Sequence, residues 1–309
     1  MAMDLKGRSF LSVADFTRDE LIAVLDLADE LKRERAAGAL RDSHAGKTLA
    51  LLFQKPSLRT RVSFDVAIHE LGGESLYLGP DEVGIGKREP IADVATVLSR
   101  YVHGIMARVF GHDIVEDMAE YADVPVVNGL SDKFHPCQAL ADLMTVRERF
   151  GKFEGLTLAY ISDGNNVAHS LMLGGAIVGL SVTVVTPPGF EPSEEIAARA
   201  HELAAASGAT INVTNDLGAA NGADVLYADV WASMGEETQA AAKKKAFAGY
   251  TINADVVSAA APNAIVLHCL PAHYDEEITE DVARGPQSAI WDQAENRLHA
   301  QKALLALIM

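Results

Sequence analysis

The chain is poor in cysteine, in positive charge and in long apolar runs, and each shortage closes off a class of function. Of its 309 residues two are cysteines, Cys137 and Cys269, far apart in sequence. That is no disulfide framework, and the spacing fits no zinc motif, so a reducing, cytoplasmic setting is expected. Lys and Arg together number 26 against 43 Asp and Glu, a formal net charge of −17. Such a chain repels phosphate polymers and anionic lipid faces at long range, so neither nucleic acid nor a membrane is an expected partner. No stretch reaches the roughly 18 uninterrupted apolar residues of a membrane span. The opening "MAMDLKGRSF" is broken by Asp4, Lys6 and Arg8 and predicts no secretion signal. Glycine fingerprints are missing too. "GIG" at 84–86 lacks the third glycine of a dinucleotide turn, and no phosphate loop of the G-x-x-x-x-G-K-[ST] type occurs. "HEL" at 201–203 has no second histidine four positions on. No cofactor and no metal are therefore expected.

What is present is an ordinary globular composition, 49% apolar and 22% charged, at a length that suggests two domains. "TRDE" at 17–20 is a capping box opening an amphipathic helix, with Gly38 as its stop. Strand-like "TLALLF", "ESLYL", "GIMARVF" and "VPVVN" then alternate with helix-like Ser63–Leu71, Ile91–Tyr101 and Asp113–Tyr121. Pro90 suits a first helical position. After a longer helix, Pro136–Phe150, a second series begins with "LTLAYI", "VTVVT", "ATINV", "DVLYAD" and "AIVLHCL". Helical Val167–Val178, Glu194–Ser207 and Ala254–Ala260 separate these, and "AENRLHAQKALLALIM" closes the chain as a helix. Strands alternating with helices predict parallel sheets covered on both faces. The expected fold class is α/β, with two doubly wound parallel-sheet domains.

In such sheets ligands bind beyond the carboxyl ends of strands, and the polar clusters fall there: "QKPSLRTR", "DGNNVAHS", "DVWASMG" and "LPAH". In "SLRTR", Ser57, Arg59 and Thr60 combine hydroxyls, a guanidinium and a helix start, each of which favours a phosphate. The alternative is that Arg59 and Arg61 cover a solvated helix start. "HPCQ" sets His135 at another helix start, with Gln138 in its first turn. In "HCLPAH", His268 and Cys269 on one strand face opposite sides, so a Cys–His nucleophilic pair has weak support beside an inert buried cysteine.

"SLRTR", "HPCQALAD", "DGNNVAHS", "DVWASMG", "HCLPAH" and "DQAENRLHAQKA", in this order and spacing over nearly the whole chain, resemble the ornithine carbamoyltransferases. The resemblance implies a carbamoyl-phosphate domain over 1–148 and an ornithine domain over 149–292. It also implies a C-terminal helix, 293–309, returning to the first domain, and an active site in the cleft between the two. It implies a homotrimer or an assembly of trimers, working in arginine metabolism and most simply in arginine biosynthesis. The reaction implied is direct attack of ornithine's side-chain amine on carbamoyl phosphate, releasing citrulline and phosphate. Carried over residue by residue, phosphate falls to Ser57, the Leu58 backbone, Arg59 and Thr60, and Arg108 bridges phosphate and carbamoyl oxygen. His135, Gln138, Cys269, the Leu270 backbone and Arg297 hold the carbamoyl group. Asn166, Asp229, Ser233 and Met234 match the ornithine positions, and Arg108, His135, Asp229 and Cys269 are the catalytic set.

Three positions depart from the family's usual pattern. Leu58 replaces a common Thr, Gly84 stands where many members carry a Gln, and Tyr274-Asp275 replaces a frequent Arg-Gly. Beside free ornithine stand other amine acceptors: acylated ornithine, putrescine or aspartate. A catalytically silent ligand-binding relative is a further alternative, opposed by the intact Arg59, Arg108, His135, Asp229 and Cys269. A dehydrogenase, suggested by fold alone, is opposed by the absent glycine fingerprint.

Overall fold

The computed structural model describes residues 4–85, 88–232, 238 and 240–309. The chain divides into two compact units, Met1–Met144 with Glu295–Met309, and Thr145–Ala294. Both boundaries fall inside helices, Pro136–Phe150 and Ile290–Ile308.

The first unit holds a four-stranded sheet of β1 (Thr48–Phe53), β2 (Glu74–Leu78), β3 (Gly104–Arg108) and β4 (Val126–Leu130), all parallel in the order β2-β1-β3-β4. β1 and β3 read as unbroken apolar runs because helices cover both their faces. All five residues of β3 are buried, whereas those of β2, at the edge, are exposed or half-buried. One face of the sheet packs Ala50, Leu52, Ile105 and Ala107 against Val94, Leu98, Val115 and Met118. The second unit holds β5 (Thr157–Ile161), β6 (Ser181–Val185), β7 (Ile211–Thr214), β8 (Val225–Ala228) and β9 (Ile265–His268), parallel in the order β7-β6-β5-β8-β9. Its core joins Ala159, Ile161, Leu226, Ala228 and Val266 to Ile252, Ile278 and Ile290.

All nine expected strands form, and the two-sheet α/β class stands. Helix limits differ where capping overrides apolar pattern. The helix expected from Ser63 begins at Leu58, because the Ser57 hydroxyl accepts the Thr60 N–H (3.3 Å) and caps it. Thr60, Phe64, Ala67 and Ile68 then form its buried stripe. Pro90 sits one position before the Ile91–Leu98 helix, which stops three residues short of Tyr101. The Thr17 capping box is made as expected, with Glu20 answering the Thr17 N–H at 2.7 Å. The segment 295–309 is anchored within its own unit. There Lys302 Nζ donates to Glu70 (2.7 Å), Gln301 Nε2 to Ser63 (2.7 Å) and Lys47 Nζ to the Met309 carbonyl (2.6 Å).

Candidate active site

Each unit concentrates polar side chains at the carboxyl ends of its central strands. In the first unit, the turn after β1 carries Lys55, Arg59 and Arg61, and the structure gives the three cations different surroundings. Lys55 lies over the Phe110 ring (4.6 Å) and the Arg61 guanidinium over the Tyr77 ring (3.9 Å), both as cation–π contacts. Arg59 instead acts electrostatically on His135, as do Arg108 and Arg297. Leu58 and Arg59 open the helix, in the turn whose N–H groups lack acceptors within any helix. The Leu58 side chain is 76% exposed and adds no donor.

Arg297 is the hub of this unit. It is 2% exposed, and its five-donor fork reaches Gln138, Thr60 and Gln301. Nη1 donates to Gln138 Oε1 (2.8 Å), Nη2 to Thr60 Oγ1 (3.2 Å) and Nε to Gln301 Oε1 (2.9 Å). Gln138 Nε2 in turn donates to Asp142 Oδ1 (2.8 Å), and Ser57 Oγ to Thr60 Oγ1 (3.1 Å). Arg108 ends β3, buried. His135 is buried just before the Pro136–Phe150 helix. Burial first, then the Arg297, Arg108 and Arg59 charges, push its imidazole well below the usual histidine range, so it is neutral at pH 7. A neutral, buried histidine ringed by guanidinium groups suits an anion with a carbonyl attached.

In the second unit the centre is Asp229, which follows β8 and is 4% exposed. Four donors surround its carboxylate: Cys269 Sγ (2.9 Å) and the Val230 N–H (2.8 Å) on Oδ1, Asn165 Nδ2 (2.8 Å) and the Tyr160 hydroxyl (3.1 Å) on Oδ2. Asn165 also caps the Asn166–Val178 helix, accepting from Val167 N (2.8 Å), and Asn166 is that helix's first residue. Burial, with Asp229, Cys269 and Asp163 nearby, drives the Tyr160 phenol well above its ordinary range, so it is a fixed donor. Asp229 and Cys269, two members of the catalytic set that the resemblance implies, are thus joined by a hydrogen bond. Tyr160 and Asn165 are additions. Asn165 is signalled by the N-cap rule, an Asn just before an apolar helix, whereas Tyr160 sits unmarked within a buried strand.

His268 points away from Cys269. Its Nε2 lies 3.1 Å from buried Glu277 Oε1, and its Nδ1 accepts the Leu270 N–H at 2.8 Å. Leu270 holds φ 61°. Ser233 and Met234 lie outside the described residues. Two of the family departures have local reasons. Gly84 adopts φ 60° with Arg88 Cβ 3.1 Å from where a side chain would begin, so a glutamine would be strained there. Asp275 takes the left-handed φ 67° that a glycine would adopt freely, and Tyr274 lies under the Arg284 guanidinium (5.6 Å). Among the described residues one group has metal-ligating chemistry: His273, Glu276 and Glu277, with ligand atoms within 4.8 Å of one another. Glu276 is ion-paired with Lys244 (2.7 Å), and Glu277 with His268.

Known proteins match over the whole chain. Residues 8–148 fit the aspartate/ornithine carbamoyltransferase carbamoyl-P binding domain, and residues 154–308 fit the Asp/Orn binding domain of the same family. An ornithine carbamoyltransferase of Acidothermus cellulolyticus is 55% identical over 305 residues, 98% of this chain and 96% of the relative. The anabolic ornithine carbamoyltransferase of Pyrococcus furiosus is 51% identical over 310 residues, 100% of this chain and 98% of the relative. The solved structure of ornithine carbamoyltransferase from Pyrococcus furiosus superposes with a TM-score of 0.97, at 51% identity, covering 100% of this chain and 99% of that one. Matched in both halves and along its full length, the chain belongs to the aspartate/ornithine carbamoyltransferase family, among its ornithine carbamoyltransferases.

Proposed function

We propose that this chain transfers the carbamoyl group of carbamoyl phosphate to the side-chain amine of L-ornithine, giving L-citrulline and phosphate, in arginine biosynthesis. The observation that carries the carbamoyl-phosphate half is the neutral His135 held among Arg59, Arg108 and Arg297. Ser57, Arg59, Thr60 and the first-turn N–H of Leu58 bind the phosphate, where a helix start and a guanidinium both favour a dianion. Arg108 spans phosphate and carbonyl oxygen. Neutral His135 donates to that oxygen as negative charge develops on it, and Gln138, oriented by Arg297, binds alongside. The Leu270 N–H is committed to His268, so its carbonyl is the group that accepts from the carbamoyl nitrogen.

Ornithine binds through Asn166, Asp229, Ser233 and Met234, its α-ammonium towards the carboxylate and its α-carboxylate towards the helix start at Asn166. The neutral amine attacks the carbonyl carbon, the C–O bond to phosphate breaks, and phosphate leaves with the electron pair. The amine's proton departs with the solvent or with phosphate. Cys269, donating to Asp229, orients the acceptor and forms no covalent intermediate. No step calls for a metal or cofactor. We further assign a homotrimer or an assembly of trimers and a cytoplasmic location, following the resemblance and the sparse cysteines.

The test is turnover of carbamoyl phosphate with L-ornithine, N-acetylornithine, putrescine and aspartate. Acetylation removes the α-ammonium, and with it the cation that would balance the buried Asp229 carboxylate, so ornithine should exceed N-acetylornithine in kcat/KM by about three orders of magnitude. An acetylated substrate that equals ornithine overturns the amine assignment, and no turnover with any amine overturns the enzyme reading.

A further inference from the structure

A buried ion pair stands beside the Asp229 cluster and takes no part in the chemistry above. Lys243 Nζ donates to Asp163 Oδ2 at 2.6 Å, with the two side chains 5% and 14% exposed. Lys243 lies on the Ala240–Ala246 helix, and Asp163 in the "DGNN" turn between β5 and the Asn166–Val178 helix. Burying such a pair rarely adds net stability, because desolvating both ions offsets their attraction. Its place in the turn gives it another use.

The backbone at Asp163 is held in place. Its carbonyl accepts the Asn165 N–H (2.7 Å), and the Gly164 N–H donates to the Phe190 carbonyl (2.8 Å). A Cβ on Gly164 would lie 2.2 Å from the Pro192 nitrogen, so the turn is pressed on that backbone and only glycine fits. Asp163 is thus fixed two residues ahead of Asn165, which holds Asp229, and three ahead of Asn166. Its negative charge is felt at the Tyr160 hydroxyl, itself 3.1 Å from Asp229. A helix start attracts an anion, and an uncompensated Asp163 would occupy that role and repel a substrate carboxylate.

We propose that Lys243 is a specificity-determining residue: by pairing with Asp163 it keeps the "DGNN" turn electrically open to the α-carboxylate of an amino acid. Amines that lack that carboxylate gain nothing from the pair. This rests on the ornithine reading, and it assigns the recognition of amino acid over simple diamine to a residue outside the binding set.

The experiment compares kcat/KM for L-ornithine and putrescine, using radiolabelled carbamoyl phosphate, across four variants. Lys243→Met should lower the ornithine value by about thirtyfold, mainly through KM, on the scale of one uncompensated charge near a partly buried site. Putrescine should change less than about threefold, and the KM for carbamoyl phosphate should hold, as expected for a charge that faces only the α-carbon end. Lys243→Arg should restore selectivity, and so should Lys243→Met with Asp163→Asn, which removes both charges. Asp163→Asn alone leaves the lysine in excess and should raise the ornithine-to-putrescine ratio, a test that holds even if Lys243→Met does not fold. Equal losses for both amines in a folded Lys243→Met, or a double variant no more selective than the single, overturn the proposal. Wild-type kinetics judge the ornithine reading separately, since the inference concerns only how the ratio moves between variants.

Discussion

Arg297→Met is the sharpest perturbation of the first unit. The substitution keeps an unbranched side chain of similar length and deletes the guanidinium at a site 2% exposed. Three acceptors each lose the charged donor at once: Gln138 Oε1, Gln301 Oε1 and Thr60 Oγ1, the last keeping its bond from Ser57. Hydrogen bonds to a charged group contribute about 1.5–3 kcal/mol each, so the gross loss is roughly 5–9 kcal/mol. Against that stands relief from holding a buried cation, which brings the net destabilisation to about 3–5 kcal/mol. The variant should therefore unfold at visibly lower urea at pH 7.5 and still fold without denaturant.

Two further readouts separate a binding role from scaffolding. Among the charges acting on His135, Arg297 is first in size, so its removal should move the imidazole back up towards the ordinary histidine value, followed by NMR titration. The apparent affinity for carbamoyl phosphate should fall on the order of a hundredfold, as when a single preorganised donor is removed from a site of developing charge. Arg297→Lys restores the charge without the planar fork and should recover only part of either effect. A Met variant within 1 kcal/mol of the parent in stability, with unchanged KM for carbamoyl phosphate, would refute the reading of Arg297 as the hub.

Arg59→Ala should weaken carbamoyl-phosphate binding by about a hundredfold and leave the fold intact, whereas Arg61→Ala should cost only about 0.5–1 kcal/mol of stability. Steady-state kinetics and melting curves of the pair check this, and matched kinetic losses would mean the three cations share one role. Cys269→Ser should keep turnover with an ornithine KM raised about tenfold, since a hydroxyl still donates to Asp229. A carbamoylated parent enzyme trapped for mass spectrometry would instead demand a covalent route. Alkylation near pH 8 should mark Cys269 alone, because burial pushes the Cys137 thiol up to about 12. His44, His112, His135 and His299 all have their pKa lowered by burial, so their stability contribution is fully present above the ordinary value of 6.5 and is lost as pH falls below it. For His135 alone the loss approaches about 1.4 kcal/mol per pH unit, measurable as a steepening fall in unfolding free energy from pH 6.5 to 5.5. A flat profile across that window would refute burial of neutral imidazoles.

The strands were legible because central parallel strands are covered on both faces and read as unbroken apolar runs, as "TLALLF" and "LTLAYI" do. Polar helix starts were not. In "SLRTR" the Ser57 cap outweighs the lack of apolar residues and pulls the helix back to Leu58. The short Ala240–Ala246 helix, with three consecutive lysines, shows no apolar stripe at all. The motifs pointed to polar residues at the strand ends, but the partners of those residues depend on strand order, which no local pattern encodes. The last members of β5 and β8, Ile161 and Ala228, are 67 residues apart, yet they lie opposite each other in parallel pairing. That register alone sets Tyr160 and Asn165 beside Asp229. β9 then joins β8 with His268 opposite Ala228, so the next residue, Cys269, meets Asp229 from the other side. A carboxylate that looks solitary in "DVWASMG" thus acquires its donors from two adjacent strands. The same reasoning applies to Lys243, which reads as one of three solvated lysines until the fold brings it to Asp163. Its neighbour Lys244 also pairs with a carboxylate, Glu276, but with its side chain 62% exposed, so burial alone distinguishes the two pairs.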